Sequence, residues 1–428
     1  QVQDLVALED ALGDLTLSGL GRDLLLRVKQ AGFSDQQIAY LLKDEVTDSD
    51  VREYRLALGL EPTYRVVDTC AGEFEAETPY FYSTYDQGDN ESIRSDRKKV
   101  VILGSGPNRI GQGIEFDYSC VHGVLGAREM GYEALMINCN PETVSTDLDL
   151  AENRGRFSGV LKELEIPFPP YGMARSVREA VTVAEEIGYP ILIRPSYVLG
   201  GQGMRIAINK EEVAEYVEAV LQMFPGNDIL LDRFLENATE IACDAIADGD
   251  EVHVTGIMQH IEPAGVHSGD STAVLPPYSL SEEVQATIRQ YVTEIARRLE
   301  VVGLINVQLA VQSDGEREVV YVIEANPRAS RTVPFVAKAT GVPIAGIAAK
   351  VMLGAKLKDF RDRGELESQL TSGYALKEPV FSWEKFPEVS KELGPEMKST
   401  GEAIAFVDAL TDEHFTRPFE MRNLYLKR

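Results

Sequence analysis

The sequence predicts an α/β region followed by an α+β region, with a small all-helical module ahead of both. Three observations carry this. Residues 1–65 show leucines at helical spacing broken by helix stops, with no strand alternation. From Lys99 an apolar run, a glycine turn, a helical stretch and a second apolar run form one strand–helix–strand unit. Beyond residue 240 short apolar strands dominate, with helices among them. A chain of 428 residues has room for roughly two to four domains of about 100–200 residues.

In the helical module, Leu8, Leu12 and Leu15 fall near helical spacing, and Gly32 stops the run Leu20–Ala31. Ser34-Asp35-Gln36-Gln37 has the capping-box pattern. Ser49 is expected to cap a further helix that ends near Gly59. Residues 66–97, aromatic and polar without period, read as a connector. Val100–Leu103 is then a buried strand, Gly104-Ser105-Gly106-Pro107 a turn, Gly113–Met130 a helix and Ala134–Asn138 a second strand. Helices Arg154–Leu164 and Val177–Ile187 precede a strand at Ile191–Arg194. Strands follow at Ile241–Ala247, Val252–Met258, Ile305–Val311 and Val319–Glu324, with helices at Glu282–Leu299 and Ile344–Leu353.

Composition narrows the function classes. The apolar fraction of 44% and charged fraction of 26% are those of an ordinary globular chain. No apolar run reaches the roughly 18–20 residues of a membrane span. The start, QVQDLVALED, is acidic and amphipathic, unlike a signal peptide. Short helices in series could suggest DNA binding, but the net charge is −27 and no Lys/Arg block marks a phosphate-binding face. Neither nucleic acid nor membrane is an expected partner, and the module reads as one for packing or oligomerisation. Cys70, Cys120, Cys139 and Cys243 lack CxxC spacing, which points to neither zinc nor a disulfide framework and to a reducing, cytoplasmic setting.

Four motifs carry chemistry. Gly104-Ser105-Gly106 follows a strand, but a dinucleotide fingerprint needs glycine at 109, where Arg stands, and an acid after the second strand, which ends at Asn138-Cys139-Asn140. A turn that packs helix on strand is the better account. The segment Ile193–Gly203, IRPSYVLGGQG, joins two strand-like stretches and could fold over phosphates as a flap, or be a plain turn. Gln308 on one strand, and Glu324-Ala325-Asn326-Pro327-Arg328 with Arg331 at the end of another, form the strongest set. Side-chain oxygens from neighbouring strands suit Mg2+, and two arginines offer planar forks to a carboxylate or phosphate. The same residues could instead form a buried Glu–Arg network that only stabilises a loop. His253, His260 and His267 are spaced for no compact metal site; His267 reads as a ligand-contacting loop residue and His253 as an ordinary strand residue.

GPNRIGQGIEFDYSCVH (106–122), NCNPETVSTD (138–147), RPSYVLGG (194–201), AGVHSGDS (264–271) and EANPRASRTVPFVAKATG (324–341) together resemble the large subunit of carbamoyl phosphate synthetase. More narrowly they resemble its C-terminal, carbamate-phosphorylating half. VDTCAGEF (67–74) and the helices before it resemble that family's oligomerisation domain. The resemblance covers about residues 1–402 and implies an ATP-grasp fold preceded by a Rossmann-like pre-ATP-grasp domain. The implied domains are a helical oligomerisation-type domain at 1–90, an incomplete Rossmann-like domain at 97–150, ATP-grasp at 151–355, and an extension with a divergent tail at 356–428.

Carried over by motif, Arg154, Arg194, Arg233, Leu235, Glu240, Gly265, Val266, His267 and Ser268 would contact ATP. Many family members have His at the position of Arg233. Gln308 and Glu324 would serve both nucleotide and metal, with Asn326 as a third metal ligand; Asn326, Arg328 and Arg331 would be catalytic. The implied cofactors are ATP and Mg2+ or Mn2+, with K+ as a further candidate. The implied reaction is ATP-dependent phosphorylation of carbamate, the last step of carbamoyl phosphate synthesis for arginine and pyrimidine biosynthesis. Its implied partners are the N-terminal half of the large subunit and a glutamine amidotransferase small subunit, in an oligomer. A biotin-dependent carboxylase and a catalytically silent ATP-binding scaffold are the alternatives. Gln1 is not a natural start, so part of a longer polypeptide is expected. Ser145–Asp149 matches the family right after the second strand, and Leu150–Arg154 only after a further strand–helix–strand stretch. A chain break between Asp147 and Ala151, with one Cα pair much more than about 3.8 Å apart, is expected in preference to a true deletion.

Overall fold

The computed structural model describes residues 2–68, 80–86, 88–104, 115–137, 154–195, 203–223, 228–313, 315, 317–385, 388, 390–411 and 414–415. They fall into two compact units, residues 1–96 and 97–428.

In the first unit, α1 (Val2–Gly13), α2 (Arg22–Gln30), α3 (Asp35–Leu41) and α4 (Asp48–Ala57) enclose a core that includes Leu12, Leu25, Val28, Ile38 and Val51. Ser34 Oγ accepts the Gln37 N–H at 3.0 Å, as its position predicts. Ser49, however, does not cap α4. Thr47 does, because Asp50 three residues on accepts the Thr47 N–H at 2.8 Å and completes a capping box. The corresponding position after Ser49 is Arg52, which has no acceptor. The expected connector also holds structure: β1 (Thr63–Val66) pairs antiparallel with β2 (Phe81–Thr84). Arg65 anchors that pair, with 2.9 Å ion pairs to Asp86 and Glu91.

The second unit opens with β3 (Lys99–Leu103), α5 (Glu115–Glu129) and β4 (Glu133–Ile137), with β3 and β4 parallel as a βαβ unit requires. The expected break between Asp147 and Ala151 lies outside the described residues.

A four-stranded antiparallel sheet follows, in the order β5 (Tyr171–Ala174), β8 (Ile229–Arg233), β6 (Ile191–Pro195), β7 (Arg205–Ala207). Helices α7 (Val177–Ile187) and α8 (Lys210–Met223) cover one face, burying Ala180, Val213, Ile191, Ile193, Ile229 and Leu231. Strand alternation therefore turns Arg194 and Asp232 to the other face.

The second lobe is a seven-stranded antiparallel sheet. Its order is β13 (Glu318–Asn326), β12 (Val302–Ser313), β9 (Thr239–Asp248), β10 (Val252–His260), β11 (Ala273–Leu275), β14 (Tyr374–Val380), β15 (Gly401–Val407). One face packs against α6 (Arg154–Glu163) and α9 (Glu282–Arg298), through Phe157, Leu161, Ile288, Val292 and Ile295. Part of the other face is covered by α10 (Val333–Thr340), α11 (Ile344–Met352) and α12 (Leu357–Asp362). Helix α5 docks against α11 at Gly126, where a Cβ would stand 2.7 Å from the Gly346 carbonyl oxygen. No single described helix is long and apolar enough to cross a membrane.

Candidate functional site

Alternation decides which side chains share the open part of the second face. Ile241 and Cys243 on β9, Val307 and Leu309 on β12, and Val320 and Val322 on β13 point into the core under α9. Glu240 and Gln308, between them in register, project to the other side. On β13 a register shift opposite Gln308 and Leu309 resets the alternation. It sets Glu324 directly across from Gln308, and Asn326 follows on the same face.

Hydrogen bonds hold all three side chains. Asn326 Nδ2 donates to Glu324 Oε1 at 3.1 Å, and Gln308 Nε2 donates to Ser268 Oγ at 3.3 Å. Arg328 Nη2 donates to Asn326 Oδ1 at 3.2 Å. From the opposite lobe, Arg194 places Nε 3.3 Å from Asp232 and Nη1 3.8 Å from Glu324 Oε2. One carboxylate and two amide oxygens, on two adjacent strands, fit a hard divalent cation.

The segment after β10 supplies the adjoining wall. The Gly265 N–H donates to Glu240 Oε1 at 2.9 Å. Gly265 has φ +93°, and a Cβ there would meet the Phe234 ring at 2.8 Å, so only glycine fits. Val266 is buried beside it. His267 Nδ1 accepts the Gly269 N–H at 3.0 Å, which puts its proton on Nε2. Burial first, then the nearby Arg331, Lys377 and His260, hold its imidazole down at about 3. His267 is thus a neutral hydrogen-bond donor at working pH.

The remaining predicted residues are placed as follows. Arg331 Nη1 lies against Met397 Sδ. Arg233, at the end of β8, lies against Gly188 after α7, where a Cβ would be 2.9 Å from its Nη1. Leu235 follows β8 and is half-buried. Arg154 opens α6; its side chain, and residues 196–202 of the proposed flap, lie outside the described residues.

Sequence reasoning missed the support that Lys377 and residues 394–399 give this wall. Lys377, buried on β14, donates through Nζ to the Ser268 carbonyl oxygen at 2.9 Å. Asp270, fully buried, accepts the N–H groups of Lys398 and Ser399, both at 2.8 Å. The His267 N–H donates to the Gly394 carbonyl oxygen at 2.8 Å. The signal available was Gly394-Pro395-Glu396-Met397-Lys398-Ser399, a turn sequence leading into a strand.

Comparison with known proteins then sets this geometry in context. Residues 153–360 match the family described as "Carbamoyl-phosphate synthase L chain, ATP binding domain". Residues 96–154 match "Carbamoyl phosphate synthase preATP-grasp domain", and residues 1–59 match "Carbamoyl-phosphate synthetase large chain, oligomerisation domain". The chain is 46% identical over 467 residues to the carbamoyl phosphate synthase large chain of Archaeoglobus fulgidus, covering 94% of this chain and 42% of that one. It is 48% identical over 463 residues to the large chain of Pasteurella multocida, with the same coverage. The chain therefore spans about two fifths of these relatives' length. Both alignments are longer than the chain itself, so each relative carries residues that this chain lacks within the matched stretch. Among solved structures, biotin carboxylase from Campylobacter jejuni superposes with a TM-score of 0.52 at 14% identity, covering 67% of this chain and 76% of that one. The biotin carboxylase domain of Hydrogenobacter thermophilus 2-oxoglutarate carboxylase gives 0.53 at 18%, covering 74% and 87%. At those identities the likeness concerns the fold, which is ATP-grasp.

Proposed function

The chain belongs to the carbamoyl phosphate synthase large-chain family, and from that premise we propose that its two lobes hold MgATP and transfer the γ-phosphoryl group to carbamate. The observation that carries this is the convergence of Gln308, Glu324 and Asn326 on one sheet face, with Arg194 reaching Glu324 from the other lobe.

Carbamate already carries an anionic oxygen nucleophile, so no side chain need remove a proton. What remains is alignment and charge neutralisation. Glu324, Gln308 and Asn326 would hold Mg2+ or Mn2+, which when bound would offset the charge of the phosphates. Arg194 would leave Glu324 for a phosphate oxygen as nucleotide enters. Arg328 and Arg331 would present guanidinium forks to the carbamate carboxylate and the transferring group. Glu240, Gly265, Val266, His267 and Ser268 would line the nucleotide, with Arg233 and Leu235 at its adenosine end. Carbamate decomposes in water, so transfer requires that water be kept from the cleft. Carbamate itself would come from an N-terminal half-molecule served by a glutamine amidotransferase, and the product would feed arginine and pyrimidine synthesis.

Glu324→Ala tests the site. Calorimetric titration of the parent with ADP should show affinity that Mg2+ raises and chelation removes, and the variant should lose that metal response. A variant with the parent's full metal dependence overturns the assignment.

A further inference from the structure

Asp244 lies on β9, on the same sheet face as Glu240, beneath the connection from β13 to α10. It is 1% exposed. Its Oδ1 accepts from Asn306 Nδ2 at 2.9 Å and from Ser330 Oγ at 2.8 Å. Its Oδ2 accepts from Thr332 Oγ1 at 2.6 Å. All three donors are neutral. Burial pushes the Asp244 carboxyl up, and the hydrogen bonds from Thr332, Asn306 and Ser330 oppose that shift.

Stability alone does not account for this arrangement. An apolar residue of similar volume usually stabilises a core at least as well as a buried charge. Thr332 also occupies the N-cap position of α10, yet its side chain makes no capping hydrogen bond. A cap is worth about 1 kcal/mol, and the hydroxyl is directed to Asp244 instead. Ser330 and Thr332 flank Arg331, and Arg328 lies two residues before Ser330. The backbone at Arg331 therefore cannot turn without breaking a hydrogen bond to the buried carboxylate.

We propose that Asp244 is a positioning residue that clamps the β13–α10 loop and so fixes where Arg331 presents its guanidinium. This rests on the reading of the Glu324 site as one of phosphoryl transfer. Misplacement of a reacting group by about 1 Å can cost on the order of 100-fold in rate. Asp244 is thus expected to act on the acceptor side and to leave the nucleotide side alone.

The test is ATP formation from MgADP and carbamoyl phosphate by the parent, Thr332→Val, Thr332→Ser, Asp244→Asn, Arg331→Ala and the Asp244→Asn/Arg331→Ala double variant. Thr332→Val, which keeps shape and loses the hydroxyl, should lower kcat/KM for carbamoyl phosphate about 10- to 100-fold. Its KM for MgADP should stay within about threefold of the parent's, a split expected when only the acceptor side is disturbed. Thr332→Ser, which keeps the hydroxyl, should match the parent. The double variant should be no slower than Arg331→Ala, since Asp244 is held to act through that residue. Full activity in Thr332→Val, an equal loss on the ADP side, or multiplying losses in the double variant would each overturn the role. If Asp244→Asn does not fold, the Thr332 pair decides alone. A parent without turnover overturns the phosphoryl-transfer reading beneath it, a result visible before any variant is compared.

Discussion

Replacing Gly265 by alanine perturbs the proposed nucleotide wall at one methyl group. Gly265 sits at φ +93°, a region that costs an L-residue about 1–2 kcal/mol. The new Cβ would stand 2.8 Å from Phe234 Cε2, 3.0 Å from Cζ and 3.2 Å from Ile206 Cδ1. The Phe234 backbone is tied, its N–H donating to the Pro190 carbonyl oxygen at 2.9 Å, so the glycine turn is the part that must yield. Yielding draws the Gly265 N–H away from Glu240, a hydrogen bond to a charged group worth about 1.5–3 kcal/mol. A combined loss of about 3 kcal/mol in the binding-competent conformation weakens nucleotide affinity on the order of 100-fold. Calorimetric titration with MgADP measures this directly, and a thermal melt checks that the variant stays folded. A folded variant whose Kd lies within twofold of the parent's would refute the placing of this turn at the nucleotide.

Two further outcomes follow from the same geometry. His267 takes up its second ring proton only below about 3 in the folded chain, against an ordinary value of 6.5, so the unfolded chain binds more protons between those limits. Stability is therefore complete above about 6.5 and falls as pH drops towards 3, by up to about 1.4 kcal/mol per pH unit from this group. Urea denaturation of His267→Gln at pH 7, 6 and 5 should show a shallower slope than the parent; equal slopes would contradict it. At the α5–α11 contact, Gly126→Leu should cost about 1–3 kcal/mol, because its Cβ alone would overlap the Gly346 carbonyl oxygen. An unchanged melting temperature would show that this contact does not hold the βαβ unit in place.

Much of the site was legible in the sequence because its chemistry is local. Gln308 lies between Val307 and Leu309 in a strand of period-2 pattern, and the Glu324–Arg331 segment ends the neighbouring strand, although the register shift that brings Glu324 across from Gln308 is not readable from that period. Asp244 also left a trace, as the one acid inside the run Ile241–Ala247, but its donors Ser330 and Thr332 lie 86 and 88 residues away. Asp270 is held by backbone groups of Lys398 and Ser399, 128 and 129 residues on, and no periodicity reports such a pairing. The β1–β2 pair was hidden for another reason. Its strands are four residues each and none of those residues is fully buried, so ion pairs from Arg65, and not an apolar face, mark it. Thr47 took the cap from Ser49 by a single side chain, since Asp50 can return the hydrogen bond and Arg52 cannot.

The most direct measurement is ATP formation from MgADP and carbamoyl phosphate, followed by a coupled luminescent assay in the parent and in Arg331→Ala. The account predicts metal-dependent ATP synthesis by the parent, slowed at least about 100-fold in the variant, the scale expected when a transition-state charge partner is removed. A folded parent that binds MgADP yet forms no ATP from carbamoyl phosphate would contradict it.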